Sequence, residues 1–311
     1  MNRLLRTPNL IFIALFQVLL RYCVILPILQ SEGIEPIMEH WQFAILIFAT
    51  VCLAAAGNVI NDYFDIYIDR INRPDTIVVD ERISRRNVIL IHVILTLMGV
   101  FSGLYISFVT RREAYVLLFL GVAVLLWFYS THFKRQMLVG NLVVALLTAL
   151  MVYVVISAEY SFMRVRGLSS LIETSPACAQ AWSYTTMYAF FAFILNFARE
   201  MIKDIEDVEG DSQYGCRTMP VMAGVENTKH IVTALHALTL LLLWIIYFFS
   251  ESVMGHVYFI YYLLFLLTLP IIVNTILLYR ASTSRQVHRS SVISKLTMLS
   301  GVLTTLYFYL L

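Results

Sequence analysis

Long apolar stretches, separated by short polar segments, run through the whole chain. A helix that spans a bilayer needs about 20 consecutive, mostly apolar residues, and stretches of about this length recur to the end of the sequence. Tyr and Trp collect near several of their ends, where interfacial anchors are expected. The pattern predicts nine membrane-spanning helices, at residues 10–29, 42–60, 88–109, 114–129, 138–156, 182–198, 230–249, 258–279 and 292–311.

The composition supports a membrane protein. Of the 311 residues, 60% are hydrophobic and only 14% are charged, whereas a soluble domain typically carries about 25% charged residues. The net charge of +2 gives no basic field for nucleic acid, and the four cysteines suggest no disulfide framework. No linker interrupts the pattern, and nothing in it implies a protein partner. We therefore expect an all-α, polytopic membrane bundle formed by a single domain, residues 1–311.

The basic residues predict the orientation of this bundle. If the nine spans are correct, most of the 22 Lys and Arg residues fall on the side that holds the N-terminus. Loops rich in Lys and Arg stay in the cytoplasm. The N-terminus and the loops after the even-numbered spans are therefore predicted to face the cytoplasm, in a protein of the cytoplasmic membrane.

More than half of the 20 acidic residues lie in two short stretches, which follow the second and sixth predicted spans. Each stretch contains a triplet of Asp residues at intervals of three and then four positions. On a helix these positions fall within an arc of about 60°, so each triplet is predicted to line one helical face. Like charges in a row repel, and Mg²⁺, which prefers oxygen ligands and phosphates, would relieve that repulsion. The triplets are Asp62, Asp65 and Asp69, and Asp204, Asp207 and Asp211.

Basic residues accompany the triplets, and this combination indicates a chemistry. Metal ions and basic side chains neutralise a leaving diphosphate, and an aromatic-rich apolar bundle would accept a hydrocarbon chain and stabilise a carbocation. The sequence therefore predicts prenyl transfer from an isoprenyl diphosphate to a lipophilic acceptor. Two alternatives stay open: ordinary acidic surface loops, and a cation-coupled transporter, which would place acids near the bilayer midplane.

The motifs resemble those of the UbiA superfamily of intramembrane prenyltransferases. Asn61 to Asp69, followed by Ile71-Asn72-Arg73-Pro74, is similar to the first aspartate-rich motif of that superfamily. Arg199 to Asp211 is similar to the second. Tyr129 to Asn141 matches the segment after the fourth helix, and Thr218 with Pro220 matches the segment after the second motif. The resemblance covers nearly the whole chain.

This resemblance implies a nine-helix bundle around a central cavity under a cytoplasmic cap. It implies two four-helix-like halves, each with one motif, at residues 61–69 and 204–211, and both motifs facing the cavity. The implied Mg²⁺ ligands are Asn61, Asp62, Asp65, Asp69, Asp204, Asp207 and Asp211, of which Asp65, Asp69, Asp207 and Asp211 are the catalytic set. The implied diphosphate contacts are Lys203, Arg73, Lys134 and Arg135.

Four further residues are candidates for acceptor contacts or for support of the site: Asn9, Arg21, Asn58 and Tyr129. Arg21 lies within an apolar span, where a charge is costly. It is expected either to contact the acceptor or to pair with a polar neighbour. Asn58 lies one turn before Asp62 and is expected to support the metal ligands.

Within the superfamily, the chain resembles the geranylgeranylglycerol-phosphate geranylgeranyltransferase branch. Arg6-Thr7-Pro8-Asn9, Asn72-Arg73-Pro74 and the second motif carry this likeness. That branch usually has a second Arg-Pro pair, which is replaced here at Asp75-Thr76-Ile77-Val78-Val79. An aromatic or quinone-precursor acceptor therefore stays open as an alternative.

Overall fold

The computed structural model describes residues 2–72, 74, 77–249 and 257–310, and most of these residues are helical. Two π-helical turns lie at Arg21–Ile25 and Leu263–Thr268, and a 3₁₀ turn lies at Phe133–Arg135. Within the described residues the only β pairing is an isolated bridge between Val79 and Ile83. The helices are α1 Asn2–Leu5, α2 Thr7–Leu20, α3 Leu26–Ser31, α4 His40–Asn72, α5 Arg85–Thr110, α6 Ala114–Thr131, α7 Val139–Val165, α8 Ser169–Thr174, α9 Pro176–Glu206, α10 Val208–Gln213, α11 Met219–Ala223, α12 Val225–Phe249, α13 Val257–Tyr262, α14 Leu269–Arg280 and α15 Ser284–Leu310. The predicted all-α class is confirmed.

Seven helical segments among the described residues are long and apolar enough to cross a membrane. They confirm a polytopic membrane protein, but the predicted number of nine spans is not confirmed. The predicted spans at 182–198 and 292–311 lie in α9 and α15, apart from residue 311, which is outside the described residues. The seven segments are Thr7–Ser31, His40–Asn72, Arg85–Thr110, Ala114–Thr131, Val139–Val165, Val225–Phe249 and Tyr258–Arg280.

Polar side chains explain why α15 is less apolar than the seven. This helix is rich in Ser and Thr, and several of their hydroxyls bond to its own backbone, whereas the Ser290 hydroxyl donates to Asn274 Oδ1. Ser294 donates to the Ser290 carbonyl at 3.1 Å, and Thr297 donates to the Ile293 carbonyl at 3.0 Å. The Ser294 and Thr297 hydroxyls therefore lower the hydropathy of α15 while keeping a hydrogen-bond partner within the helix.

The chain divides into two compact units. The first unit contains residues 1–133 and 149–189, and the second contains residues 134–148 and 190–311. The first aspartate-rich motif belongs to the first unit and the second motif to the second unit.

The lengths of α4 and α9 place the motifs at helix ends. α4 has 33 residues and α9 has 31, so each is about 45–50 Å long at 1.5 Å per residue. The hydrocarbon layer is only about 30 Å thick. Each helix is therefore long enough to extend beyond this layer, and each has its acidic residues in its last turns.

Candidate active site

Asn61 and Asp65 form a buried pair on α4. Their side chains are almost fully enclosed, and the Asn61 Nδ2 donates to Asp65 Oδ2 at 2.6 Å. The Asn61 Oδ1 is also buried, and within the described residues it accepts no hydrogen bond. A buried acceptor without a partner typically costs about 1–3 kcal/mol. An amide oxygen beside a carboxylate is an oxygen donor set that suits Mg²⁺, so these two residues fit the predicted metal.

Asp62 has a basic partner from the start of the chain. Arg6 Nη2 donates to Asp62 Oδ1 at 2.7 Å. Arg6 separates α1 from α2 and has left-handed backbone angles, φ 52° and ψ 49°, which are uncommon for a residue other than Gly. The sequence did not predict this contact, because 56 positions separate the two residues.

Asn58 and Asn9, near the first motif, both donate to backbone carbonyl groups. Asn58 Nδ2 donates to the Leu5 carbonyl at 3.0 Å, which ties α1 to α4. The backbone N–H of Asn9 donates to the Arg6 carbonyl at 2.8 Å. Asp69 and Tyr129 are half-buried, in the last turns of α4 and α6. Arg73, a predicted diphosphate contact, lies outside the described residues.

The second motif interrupts its helix. α9 ends at Glu206, Asp207 has φ −97° and ψ 5°, and α10 begins at Val208. The second triplet is therefore divided between the end of α9 and α10, and the prediction that it lies on a single helix is wrong. Hydrogen bonding remains close to helical, because Asp207 N donates to the Lys203 carbonyl at 2.9 Å and Asp211 N donates to the Asp207 carbonyl at 3.1 Å. The backbone angles depart from helical values at Asp207, whose φ and ψ lie in the sparsely populated bridge region.

Asp204 lies beyond the predicted span and accepts a hydrogen bond from Asn141 Nδ2 at 2.7 Å. The pKa of this carboxyl group is raised to about 8, mainly by burial and also by the charges of Glu200 and Asp211, although the hydrogen bond from Asn141 and the charge of Lys134 act in the opposite direction. The acids of this motif therefore disfavour one another's ionised form. A bound cation would remove that conflict.

Lys203 is held on its own helix by an acidic neighbour. Its Nζ donates to Glu200 Oε1 at 2.7 Å, and Arg199 Nη1 donates to the same oxygen at 2.9 Å. The predicted contacts Lys134 and Arg135 belong to the same unit. Lys134 is half-buried, whereas the Arg135 side chain is exposed and its carbonyl accepts from Arg217 N at 2.8 Å.

Within the described part of the chain, no three His, Cys, Asp or Glu side chains are arranged so that they could hold a metal ion by themselves. Mg²⁺ in phosphate-transfer sites usually takes one or two carboxylates and completes its shell with water and phosphate oxygens. The predicted ligands fit that mode of binding.

Arg21 belongs to a buried network of the first unit. It is fully enclosed and its Nε donates to Glu159 Oε2 at 2.9 Å. Its other nitrogens donate to Tyr22 Oη and to the Met38 carbonyl. Of the two predicted roles, the structure favours pairing with a polar neighbour. Glu159 was not among the predicted residues, although an acid at the end of an apolar stretch is a signal for such a pair.

Comparisons with known proteins agree with these features. A sequence profile described as the UbiA prenyltransferase family matches residues 22–299. A digeranylgeranylglyceryl phosphate synthase of Thermococcus sibiricus is 34% identical over 215 residues, which cover 67% of each chain. The enzyme of the same name from Thermococcus gammatolerans is 30% identical over 265 residues, which cover 84% of each chain. The structure of a UbiA homolog from Archaeoglobus fulgidus bound to DMAPP and Mg²⁺ has a TM-score of 0.55 at 17% identity, over 98% of each chain.

The fold and the two acidic motifs define an integral membrane protein with acidic residues at the ends of two long helices. The chain belongs to the UbiA prenyltransferase family. The predicted family and reaction class are confirmed, and the transporter alternative is set aside.

Proposed function

We propose that this protein transfers a prenyl group from an isoprenyl diphosphate to a lipophilic acceptor in an Mg²⁺-dependent reaction, with geranylgeranylglycerol phosphate as the first candidate acceptor. The main observation in support of a metal site is the buried Asn61 Oδ1 beside Asp65, which has no hydrogen-bond partner among the described residues. The names of the relatives from two Thermococcus species support the acceptor. The Mg²⁺ and DMAPP found in the Archaeoglobus homolog support the metal and the donor class.

The chemistry requires one bond to break and one to form. The bond between C1 of the prenyl chain and the diphosphate oxygen breaks, and C1 bonds to the acceptor oxygen, whose proton is released. Bound Mg²⁺ would neutralise the charge that grows on the leaving diphosphate. Asn61, Asp65, Asp69, Asp207 and Asp211 would hold the metal, with Asp62 and Asp204 beside them.

The basic residues have a separate role in this proposal. Lys203 and Lys134 would bind the diphosphate as point charges, and Arg135 and Arg73 would add to the local positive charge. Each of these groups stabilises the anion most when its charge is largest, which is after the C–O bond has broken.

The two motifs act on one diphosphate in this proposal, and residues 1–311 form one functional domain. This part of the proposal is supported by the equal spacing of the two triplets and by the family match, whose range of residues includes both triplets. The uneven distribution of Lys and Arg supports a cytoplasmic N-terminus, a cytoplasmic site and insertion in the cytoplasmic membrane.

The test uses full-length protein, Mg²⁺, geranylgeranyl diphosphate and a panel of acceptors, with products identified by mass spectrometry. We expect a digeranylgeranyl product with geranylgeranylglycerol phosphate. Asp65→Ala and Asp207→Ala should abolish it, whereas Glu81→Ala, which removes an exposed acid outside both triplets, should not. Transfer only to an aromatic acceptor would assign the protein to the alternative acceptor class. Transfer without Mg²⁺, or full activity in both Asp variants, would contradict the proposal.

A further inference from the structure

A recess of about 360 Å³ lies between α1 and the turn at residues 78–83, in the first unit. Its described lining residues are Asn2, Arg3, Val78 and Arg82. Two of them carry a guanidinium group and one carries an amide, and none of these described residues is acidic. A wall of this composition favours an anion.

The N-terminal segment that forms one side of the recess is fixed to the first motif. Leu4 is fully buried in a cluster that includes Val59 and Val78, and the Leu5 carbonyl accepts the hydrogen bond from Asn58. Because Arg6, the next residue, pairs with Asp62, the segment carrying Asn2 and Arg3 is held against α4. Arg3 therefore belongs to a segment whose position against α4 is fixed.

The other side of the recess is a turn closed by its own backbone. The N–H groups of Arg82 and Ile83 both donate to the Val78 carbonyl, at 2.9 Å and 3.2 Å, and Asp80 N donates to the Ile83 carbonyl at 2.9 Å. The Asp80 carboxylate pairs with Arg85 at 2.7 Å. The acid at the tip of the turn is thus already neutralised, and Glu81, beside Arg82, is exposed to solvent.

Two guanidinium groups on separate elements suit a phosphate group, because the planar fork of Arg matches phosphate oxygens with two parallel hydrogen bonds. The volume is near the lower end of the range of about 300–1,000 Å³ for small-molecule pockets. It accommodates a phosphate with a short polar group attached, such as a glycerol unit.

We propose that this recess binds the phosphate group of a membrane lipid, with Arg3 and Arg82 as charged ligands and Asn2 as a neutral donor. The phosphate would come either from the headgroup of a phosphorylated acceptor or from an anionic membrane phospholipid. The acceptor source rests on the proposed function, whereas the phosphate site itself does not.

Binding is tested with the full-length protein in a sugar-based, phosphate-free detergent. The probes are an alkylglycerol phosphate with one chain, a dialkylglycerol phosphate with two chains, and the one-chain lipid without phosphate. The test protein is the double variant Arg3→Gln with Arg82→Gln. The control is Arg86→Gln, which removes an exposed Arg from the same region; Arg86 does not line the recess. Unfolding midpoints of all variants establish that folding is intact.

The wild type and Arg86→Gln should bind the phosphorylated lipids, and the double variant should bind them at least about tenfold more weakly. The lipid without phosphate should bind weakly to all three proteins. The proposal would be overturned if the wild type bound the lipid without phosphate as tightly as the phosphorylated lipids. It would also be overturned if the double variant bound the phosphorylated lipids with the affinity of the wild type.

The arms also separate the two sources of phosphate. Preference for the one-chain lipid, with a raised acceptor KM and an unchanged donor KM in the double variant, identifies an acceptor subsite. Equal binding of both phosphorylated lipids with an unchanged acceptor KM identifies a phospholipid site. If the wild type transfers no prenyl group to any acceptor, the proposed function fails while the binding measurement still decides this proposal.

Discussion

At the scale of single residues, the contact between Lys203 and Glu200 determines how the Lys203 charge is used. The two groups are 2.7 Å apart on one helix, and the Lys203 side chain remains 24% exposed. Glu200 is buried, and Arg199 also donates to its Oε1 at 2.9 Å, so this carboxylate would keep a cationic partner if Lys203 turned to a diphosphate. In the proposed site, Glu200 would therefore position the ammonium group without preventing it from binding the diphosphate.

Lys203→Met should lower kcat/KM for the diphosphate donor by about 10- to 150-fold, because a charge-assisted contact is worth about 1.5–3 kcal/mol. Mg²⁺ binding should persist, since the Asp and Asn oxygens are unchanged. Steady-state kinetics over a range of donor concentrations measures the effect. A change below about threefold would place Lys203 outside the site and leave it as a partner of Glu200 alone.

Asn141→Leu should raise the Mg²⁺ concentration needed for half-maximal activity by about tenfold, because it removes a hydrogen bond that favours the ionised, metal-binding form of Asp204. Asn196→Leu is a matched control. It removes an Asn that is equally buried, at 6% exposed, in the same unit, whose amide instead donates to Thr148 Oγ1 at 2.8 Å. If both variants shift the Mg²⁺ titration equally, Asn141 acts only through packing.

At the scale of helices, much of the arrangement follows from hydropathy and part of it does not. Each predicted span coincides with a long helical segment in the described residues, because about 20 apolar residues leave the backbone no other way to satisfy its hydrogen bonds in lipid. The interruption at Asp207 has no local sequence signal, since no Pro or Gly occupies that position. The ion pair between Arg6 and Asp62 depends on tertiary packing, which periodicity does not report.

Arg21 and Glu159 join two helical segments of the first unit through a fully buried ion pair. Arg21→Met should destabilise the protein by about 3–5 kcal/mol, because it leaves the Glu159 charge buried and unpaired. The double variant Arg21→Met with Glu159→Met should recover much of this loss, since no charge then remains. Unfolding of the purified protein measures stability, and acceptor KM is measured in parallel. A specific rise in acceptor KM in the stable double variant would return Arg21 to the acceptor site.

At the scale of the whole molecule, the sequence is most informative about the candidate site where the signal is local. Each Asp triplet lies close in sequence to its own basic neighbours, so the proposed chemistry follows from residue types and spacing. The Asn141–Asp204 contact and the recess lined by Arg3 and Arg82 join distant positions. A sequence pattern does not report which distant positions lie close together in space, so neither feature could be predicted from it.

The orientation of the molecule determines whether the two motifs can serve one reaction. Lys and Arg cluster in the loops that hold the N-terminus and both motifs, and such loops stay in the cytoplasm. Labelling of single cysteines tests this. The four native cysteines, Cys23, Cys52, Cys178 and Cys216, are buried thiols, so they are first replaced by Ala and the resulting protein is checked for activity.

Single cysteines then replace exposed acids near each motif, Glu81→Cys and Glu209→Cys, and exposed acids in the loops predicted to be outside, Glu113→Cys and Glu173→Cys. In right-side-out vesicles, a membrane-impermeant maleimide should label positions 113 and 173 at once, and positions 81 and 209 only after permeabilisation. The reason is the charge bias, since moving the basic loops across the membrane is costly. Labelling of 81 and 209 from opposite sides would separate the two motifs by the bilayer, and one diphosphate could not then contact both.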